Sequence, residues 1–322
     1  QPSPVPRYGK QLTRHAINNF QPEGNISVSQ VSSNLPGIDV PLTENQIKIE
    51  WLKGTPQQTV IISPRVAPHL IGLGLLEAID TEKILLKHDP DDLNNDGISG
   101  RANWVQTKGQ QPVLGRFGWQ AESPSVAFQV GKALINDMGI TNDIFGDNIC
   151  LDLQEHPQCQ SSSEPEISSH LFNQLVLYSK ALAIPRIRAS DAAFESGLAL
   201  FEQTGCDSCH TPFHETTGKD KAFANKTIAP FTDLLLHDMG EYLADKDSNG
   251  NPQKTEWRTP PLWGIGLFQA VNKHTQFLHD GRANSIHEAI LWHGGEAHTA
   301  REKYLELSDQ DMQQLLEFLN EI

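Results

Sequence analysis

The chain has 322 residues, and its 25 lysines and arginines against 40 aspartates and glutamates leave a formal charge of −15. So acidic a surface repels nucleic-acid phosphates, which need a basic face, and suits a basic partner instead. No apolar run approaches membrane-spanning length, and the opening QPSPVPRYGK has neither the basic region nor the apolar stretch of a signal peptide. The sequence therefore reads as mature soluble protein, long enough for two domains.

Residues 1 to about 65 are rich in Pro, Gly, Asn and Ser, and within them NISVSQVSS and NQIKIEWL alternate like short strands. From about 66, APHLIGLGLLEAI has helical period, and SPSVAFQVGKALINDMG is a second predicted helix after turn residues. Between them DLNNDGISGRAN opens like a calcium loop, with Asp92, Asn94 and Asp96, but places Asn103 where the closing acid belongs. Cys150 and Cys159, with Pro157 between them, are close enough in NICLDLQEHPQC to permit a disulfide. After a polar loop, HLFNQLVLYSKALAI is helical up to Pro185, where we place a boundary between domains 1–185 and 186–322. SDAAFESGLALFEQTG follows with Phe194, Leu198 and Phe201 at helical spacing, Ser190 as cap and Gly205 as stop. DKDSNGNPQKTE fits a calcium loop in which Asp245, Asp247, Asn249 and Glu256 supply oxygens and Gly250 the sharp turn, although a solvated acidic hairpin explains it equally. At the end Ser308 caps a helix that carries Met312, Leu315, Leu316 and Leu319 on one face.

The most informative stretch is TGCDSCHTP. Cys206 and Cys209, followed at once by His210, suit covalent haem c, because both thiols can add to porphyrin vinyl groups while the adjacent imidazole reaches the iron. A redox-active cysteine pair or half of a zinc site are the rivals, the latter needing two further ligands. For the opposite face of the iron the candidates are His237, Met239 and His293. Arg258, Arg282 and His279 are plausible propionate partners, with surface salt bridges as the alternative. Haem c is attached outside the bacterial cytoplasm, so the periplasm or the cell exterior is the expected location. The expected fold is mainly α: a cytochrome c-like C-terminal domain preceded by a helical connector with a short β-rich opening segment.

Taken together, GRFGWQAESPSVAFQVGKALINDMGIT, CDSCHTP, PFTDLLLHDMGEYLAD, EWRTPPLWGIG and FLHDGRANSIHEAILWHGGEA resemble the bacterial di-haem oxidoreductases related to cytochrome c peroxidase, in particular a subgroup labelled thiol oxidoreductases. Such proteins carry two C-x-x-C-H motifs, whereas this sequence has one, and its first residues resemble the segment after the missing motif. The resemblance implies either a first haem domain outside this sequence or a single-haem form. It implies His293 as the distal ligand, paired with His210, with Met239 in reserve. It also aligns Trp119, Gln129 and Asp137 with an inter-haem tryptophan and with a glutamine and acid over a reactive iron, although the acid stands two residues nearer the glutamine and is Asp instead of Glu. The activity implied is peroxide reduction or another high-valent haem oxidation, fed by a redox protein. A monohaem electron carrier, a haem-dependent oxygenase of an organic substrate and a metal-binding component are the other readings.

Overall fold

A computed structural model describes residues 5, 8–9, 11–15, 21–107, 109, 111–146 and 164–322. Cys150 and Cys159 lie outside the described residues. The opening hairpin pairs β1 (Gly24–Ser33) with β2 (Leu42–Trp51) in antiparallel register from Gly24 opposite Trp51 to Ser33 opposite Leu42. Along β2 the partly buried Ile47, Ile49 and Trp51 alternate with exposed Gln46, Lys48 and Glu50, as a strand with one covered face requires.

Helices form where a capping side chain precedes an apolar stripe. In α3 (Val126–Met138), α4 (Ser169–Ala181), α5 (Asp191–Gln203) and α9 (Asp309–Glu321), the caps are Ser125, Ser168, Ser190 and Ser308. Each hydroxyl accepts from the backbone N–H three residues on. The helical period from 67 to 79 yields only α1 (Leu73–Glu77), since Gly72 enters it at φ 68°. Asp80 caps α2 (Thr81–Leu85), and β4 (Trp104–Val105) pairs with β5 (Val113–Leu114).

The expectation of a mainly α fold is corrected by the second half of the chain. With 32% helix and 18% strand the protein has the ordinary mixed composition of a globular fold. From Cys206 to Ser285 there are small strand pairs: β6 (His214–Glu215) with β7 (Thr227–Ile228), β8 (Leu236–Asp238) with β11 (Glu256–Arg258), and β9 (Asp245–Asp247) between β10 (Pro252–Lys254) and β3 (Ile61–Ile62). The only α-helix in that span is the five-residue α6 (Phe268–Asn272). Left-handed backbone at Asn225, Phe231, Leu234, Lys273 and Leu278 is incompatible with a longer one.

Two cores result. One gathers Leu76, Ile79, Leu114, Val126 and Phe172, and is completed by Leu234, Leu235 and Trp263. The other gathers Phe201, Phe231, Trp292, Tyr304, Leu315 and Phe318, and is completed by Leu35 and Leu42 of the hairpin region. At its centre Phe201, Phe231 and Phe318 meet with ring centroids 5.5, 5.9 and 5.7 Å apart. Each such ring contributes about 1.5–3 kcal/mol on burial.

A local motif occurs twice, once in each half. Phe117 bridges Ser123 before α3, and Phe277 bridges Ala283 before α7 (Ile286–Leu291). The turns match in detail: Gly118 and Leu278 have φ 81° and 69°, Ala121 and Gly281 have φ 50° and 74°. The caps Ser125 and Ser285 sit at φ −144° and −149°. Both copies meet at Val66, whose N–H donates to the His279 carbonyl (2.9 Å) and whose carbonyl accepts from the Trp119 indole (2.7 Å). The chain then closes with α8 (His298–Leu305) and α9.

Helix α5 crosses α9 through Gly197, where an added Cβ would stand 2.4 Å from the Phe318 Cβ. Overpacking near the upper end of roughly 1–3 kcal/mol exceeds the helix-propensity gain of about 1 kcal/mol. Gly197→Ala is therefore expected to lower stability by about 1–2 kcal/mol, seen as a fall in the denaturant midpoint at unchanged slope.

Candidate haem-binding site

Helix α5 delivers the chain to the cysteine pair. Gly205, at φ 82°, ends the helix and starts a single tight turn, Cys206–Ser208, after which the His210 N–H returns to the Cys206 carbonyl at 2.9 Å. The Lys87 ammonium holds this loop by donating to the carbonyls of Asp207 and Ser208, both at 2.9 Å. Both thiols are free and neutral: burial pushes Cys206 up to about 11, and raises Cys209 against the opposing His237.

Two imidazoles share one arrangement. His210 Nδ1 faces the Phe231 carbonyl at 2.9 Å, and His293 Nδ1 faces the Ala289 carbonyl one turn back at 2.7 Å. A carbonyl only accepts, so Nδ1 carries the proton in each ring and Nε2 keeps its lone pair free. Burial lowers His210 to about 4, outweighing the Phe231 carbonyl and aided by nearby His293. Burial likewise lowers His293. Two neutral imidazoles oriented by carbonyls, with His293 near enough to act on the charge of His210, suit iron ligation.

A third histidine is the opposite case. His237 lies buried with Nε2 2.8 Å from Asp233 Oδ2 and Nδ1 2.8 Å from Glu296 Oε2, while the Cys209 sulfur is 3.4 Å from Nδ1. Burial opposes its charge, but Asp233, Cys209 and Glu296 prevail and raise it to about 12. Both ring nitrogens are committed, so His237 has no lone pair for iron. It is instead a clamp. Glu296, three residues past His293, also accepts from Ser99 Oγ (2.5 Å) and the Asp238 N–H (3.3 Å). The imidazolium thereby ties the cysteine loop, the segment after α7 and the first half of the chain together.

The residues around these imidazoles fit a haem. Thr211 Oγ1, next after His210, and Trp292 Nε1, next before His293, are buried without a hydrogen-bond partner among the described residues. Arg258 is buried and bonded only to the carbonyls of Gly118 (2.8 Å) and Thr259 (3.0 Å), with no carboxylate partner among the described residues. Its burial, partly offset by Glu122 and Asp233, lowers it to about 10. Idle donors and an unpaired guanidinium suit porphyrin carboxylates.

A family model described as "di-haem oxidoreductase, putative peroxidase" matches residues 45–322. The chain belongs to this di-haem oxidoreductase family. No curated protein and no solved structure matches it.

The remaining sites proposed from this oxidoreductase's sequence fall out as follows. Met239 packs against the second core, with its backbone carbonyl against Gly294. Arg282 is already paired with Asp280 (2.7 Å) and lies over the Trp292 ring at 4.7 Å. His279 stacks on Trp257 with centroids 3.7 Å apart, its protonation disfavoured by burial and then by Arg65 and Arg282. Trp119 lies 6.5 Å from His279 at the junction of the two repeats. Gln129 has a buried Oε1 without a hydrogen-bond partner among the described residues. Asp137 lies two turns further along α3, roughly 12 Å up the axis, exposed and accepting from Gln11 Nε2 at 2.7 Å.

In the two calcium-like loops the candidate ligands are engaged with other groups. Asp245 is bound by both nitrogens of Arg65 (2.8 and 2.6 Å) and by Ser63 (2.8 Å), and Glu256 is paired with Arg101. Asp247 accepts from the backbone of Asn249 and Asn251 in its own turn, with Asn249 at the hairpin tip. In the weaker loop Asp92 and Asn94 accept from the backbone of Asp96. Among the described residues no group of three or more His, Cys, Asp or Glu converges on a metal position. Nor is any described helix long and apolar enough to cross a membrane.

The clamp makes two measurable statements. His237→Gln leaves Asp233 and Glu296 buried without their cation, and a broken buried pair costs about 3–5 kcal/mol. The folded value of His237 is raised above its ordinary 6.5, so its contribution is full below 6.5 and declines as pH rises toward about 12. Asp233 and Glu296 are held below their ordinary values, so their share fades in acid. Unfolding of wild type and variant at pH 5.5 and 9 should show the larger stability difference at pH 5.5.

Proposed function

We propose that this oxidoreductase is a c-type haem protein of the periplasm or cell exterior that reduces peroxide, with electrons supplied by a basic redox protein. The observation that carries the reading is a pair of buried neutral imidazoles, His210 next to the free cysteine pair and His293, each with Nδ1 held by a carbonyl. Cys206 and Cys209 would hold the porphyrin as thioethers, His210 and His293 would hold its iron, and Arg258, Thr211 and Trp292 would meet its carboxylates. A bound haem supplies the one-electron acceptor.

The chain's own residues divide the remaining work. A bis-histidine arrangement leaves no open iron face, which suits electron transfer more than peroxide binding. Helix α3, the repeat of α7, has Ala133 where α7 is followed by His293. That position offers no imidazole, and Gln129 one turn earlier has an amide oxygen without a partner among the described residues that would orient a peroxide. Trp119, at the junction of the two turns, would relay electrons, and the formal charge of −15 favours encounter with a basic donor.

A second reading, a monohaem electron carrier, is favoured by Asp137, which faces Gln11 at the surface and does not meet Gln129. Mass spectrometry of the native chain is expected to show one covalent haem, lost in Cys206→Ala with Cys209→Ala. Peroxide consumption with a reduced cytochrome as donor supports the peroxidase, and its absence at full haem content the carrier. His293→Ala is expected to convert the optical spectrum from low-spin to high-spin while Met239→Ala leaves it low-spin. The reverse outcome reassigns the ligand.

A further inference from the structure

The opening hairpin has one strand under cover and one without. Strand β2 is the inner one: the Thr43 N–H donates to Glu288 Oε1 (2.5 Å), Asn45 Nδ2 donates to the Asp280 carbonyl (2.8 Å), and Glu44 is paired with Lys246 (2.7 Å). Strand β1 touches that half through Gln30 Nε2, 3.4 Å from Asn284 Oδ1. Its backbone bonds to no described residue outside β2, and every residue from Ser27 to Ser32 is exposed, Val28 at 60% and Val31 at 41%.

A bare edge is ordinarily protected by a charge, a proline or a bulge, because its row of unpaired N–H and C=O groups is a template for another strand. β1, GNISVSQVSS, has no charged residue and no proline, and its ten-residue register with β2 runs without a bulge. A two-stranded hairpin is also marginal by itself, and a third strand is what secures it. The two faces differ as well. Ile26 stands opposite Ile49 and Val28 opposite Ile47, all four partly or largely exposed, while on the other face Asn25, Ser27 and Ser29 stand opposite Glu50, Lys48 and Gln46.

Charge narrows the choice of occupant. With a formal charge of −15, two copies repel over most of their surface and approach closely only along a neutral element, whereas a basic partner finds no carboxylate on β1 to attract it. β1 of a second copy is such an element. A twofold axis normal to the sheet reverses the strand and keeps each face on its own side, so the second β1 continues both the hydrogen-bond ladder and the apolar face.

We infer that the outer edge of β1 pairs antiparallel with β1 of a second copy, joining the two hairpins into one four-stranded sheet in the order β2, β1, β1, β2. The contact is small. A ten-residue strand is roughly 34 Å long, and a strip about 10 Å deep along it buries roughly 700 Å² over both copies, short of the roughly 1,200–2,000 Å² of a stable interface. The dimer is therefore weak and forms as concentration rises. Because each copy is acidic, it tightens as salt screens the repulsion.

Sedimentation equilibrium of the full chain from micromolar to near-millimolar concentration is expected to show monomer passing to dimer, with a dissociation constant that falls as sodium chloride is raised. Amide exchange in the wild-type 24–33 peptide should slow over the same range. Val28→Lys adds a positive charge to an acidic chain and would ease any association governed by net charge alone. Set close to its own copy across the axis, it should instead raise the dissociation constant about tenfold or more. Val28→Thr, which keeps the β-branch without a charge, should stay near wild type, and both variants should keep the wild-type thermal midpoint when dilute. A chain that stays monomeric throughout overturns the inference. So does a dimer that is indifferent to Val28→Lys or leaves exchange in the 24–33 peptide unchanged, since its contact then lies elsewhere.

Discussion

Everything near the cysteine loop is organised by one buried cation. His237 is enclosed with Asp233 on one ring nitrogen and Glu296 on the other, and these partners come from different parts of the chain. Burying one cation with two carboxylates is costly unless every lone pair and proton finds a partner. Here Ser99, the Leu235 and Asp238 N–H groups and the Cys209 thiol complete the set. The cluster can be satisfied in only one arrangement, which holds the segment carrying His210 and the one following His293 in fixed relation.

The same side chain serves opposite ends through its surroundings. Among the described residues His210 and His293 have only carbonyls as hydrogen-bond partners, so burial strips their charge and leaves a lone pair free. His237 has carboxylates for partners, so charge survives burial and the ring becomes a structural cation. His287 meets the Tyr304 hydroxyl and stays a neutral base. Each outcome follows from the first hydrogen-bond partner and the depth of burial.

The repeated turn and capped helix give the two halves a common element with different contents. Its second copy leads to His293, while its first has Ala133 in that place and Gln129 a turn earlier. The chain belongs to a di-haem family and carries a single C-x-x-C-H in this sequence, and the two copies differ at the position where the second leads to a histidine. Trp119 and His279 stand at corresponding places in the two turns and meet near Val66.

Local chemistry was legible in the sequence wherever a few adjacent residues suffice. The cysteine pair with His210, the serine caps of α5 and α9, and the two strands of the opening segment all depend on neighbours in the chain. The repeat was hidden because it resides in backbone dihedrals that Gly118 and Leu278, or Ala121 and Gly281, reach with different side chains. The calcium-loop pattern could not reveal that Arg65 and Arg101, distant in sequence, pair with its carboxylates. The balance of helix and strand between Cys206 and Ser285 likewise depended on pairings with partners as remote as β3. Sequence alone determined which groups could bind a haem, since that is a property of residue type and spacing. Tertiary structure alone decided which histidines are neutral, which is charged and which carboxylates are free, because protonation and pairing are set by burial and by neighbours that only folding brings together.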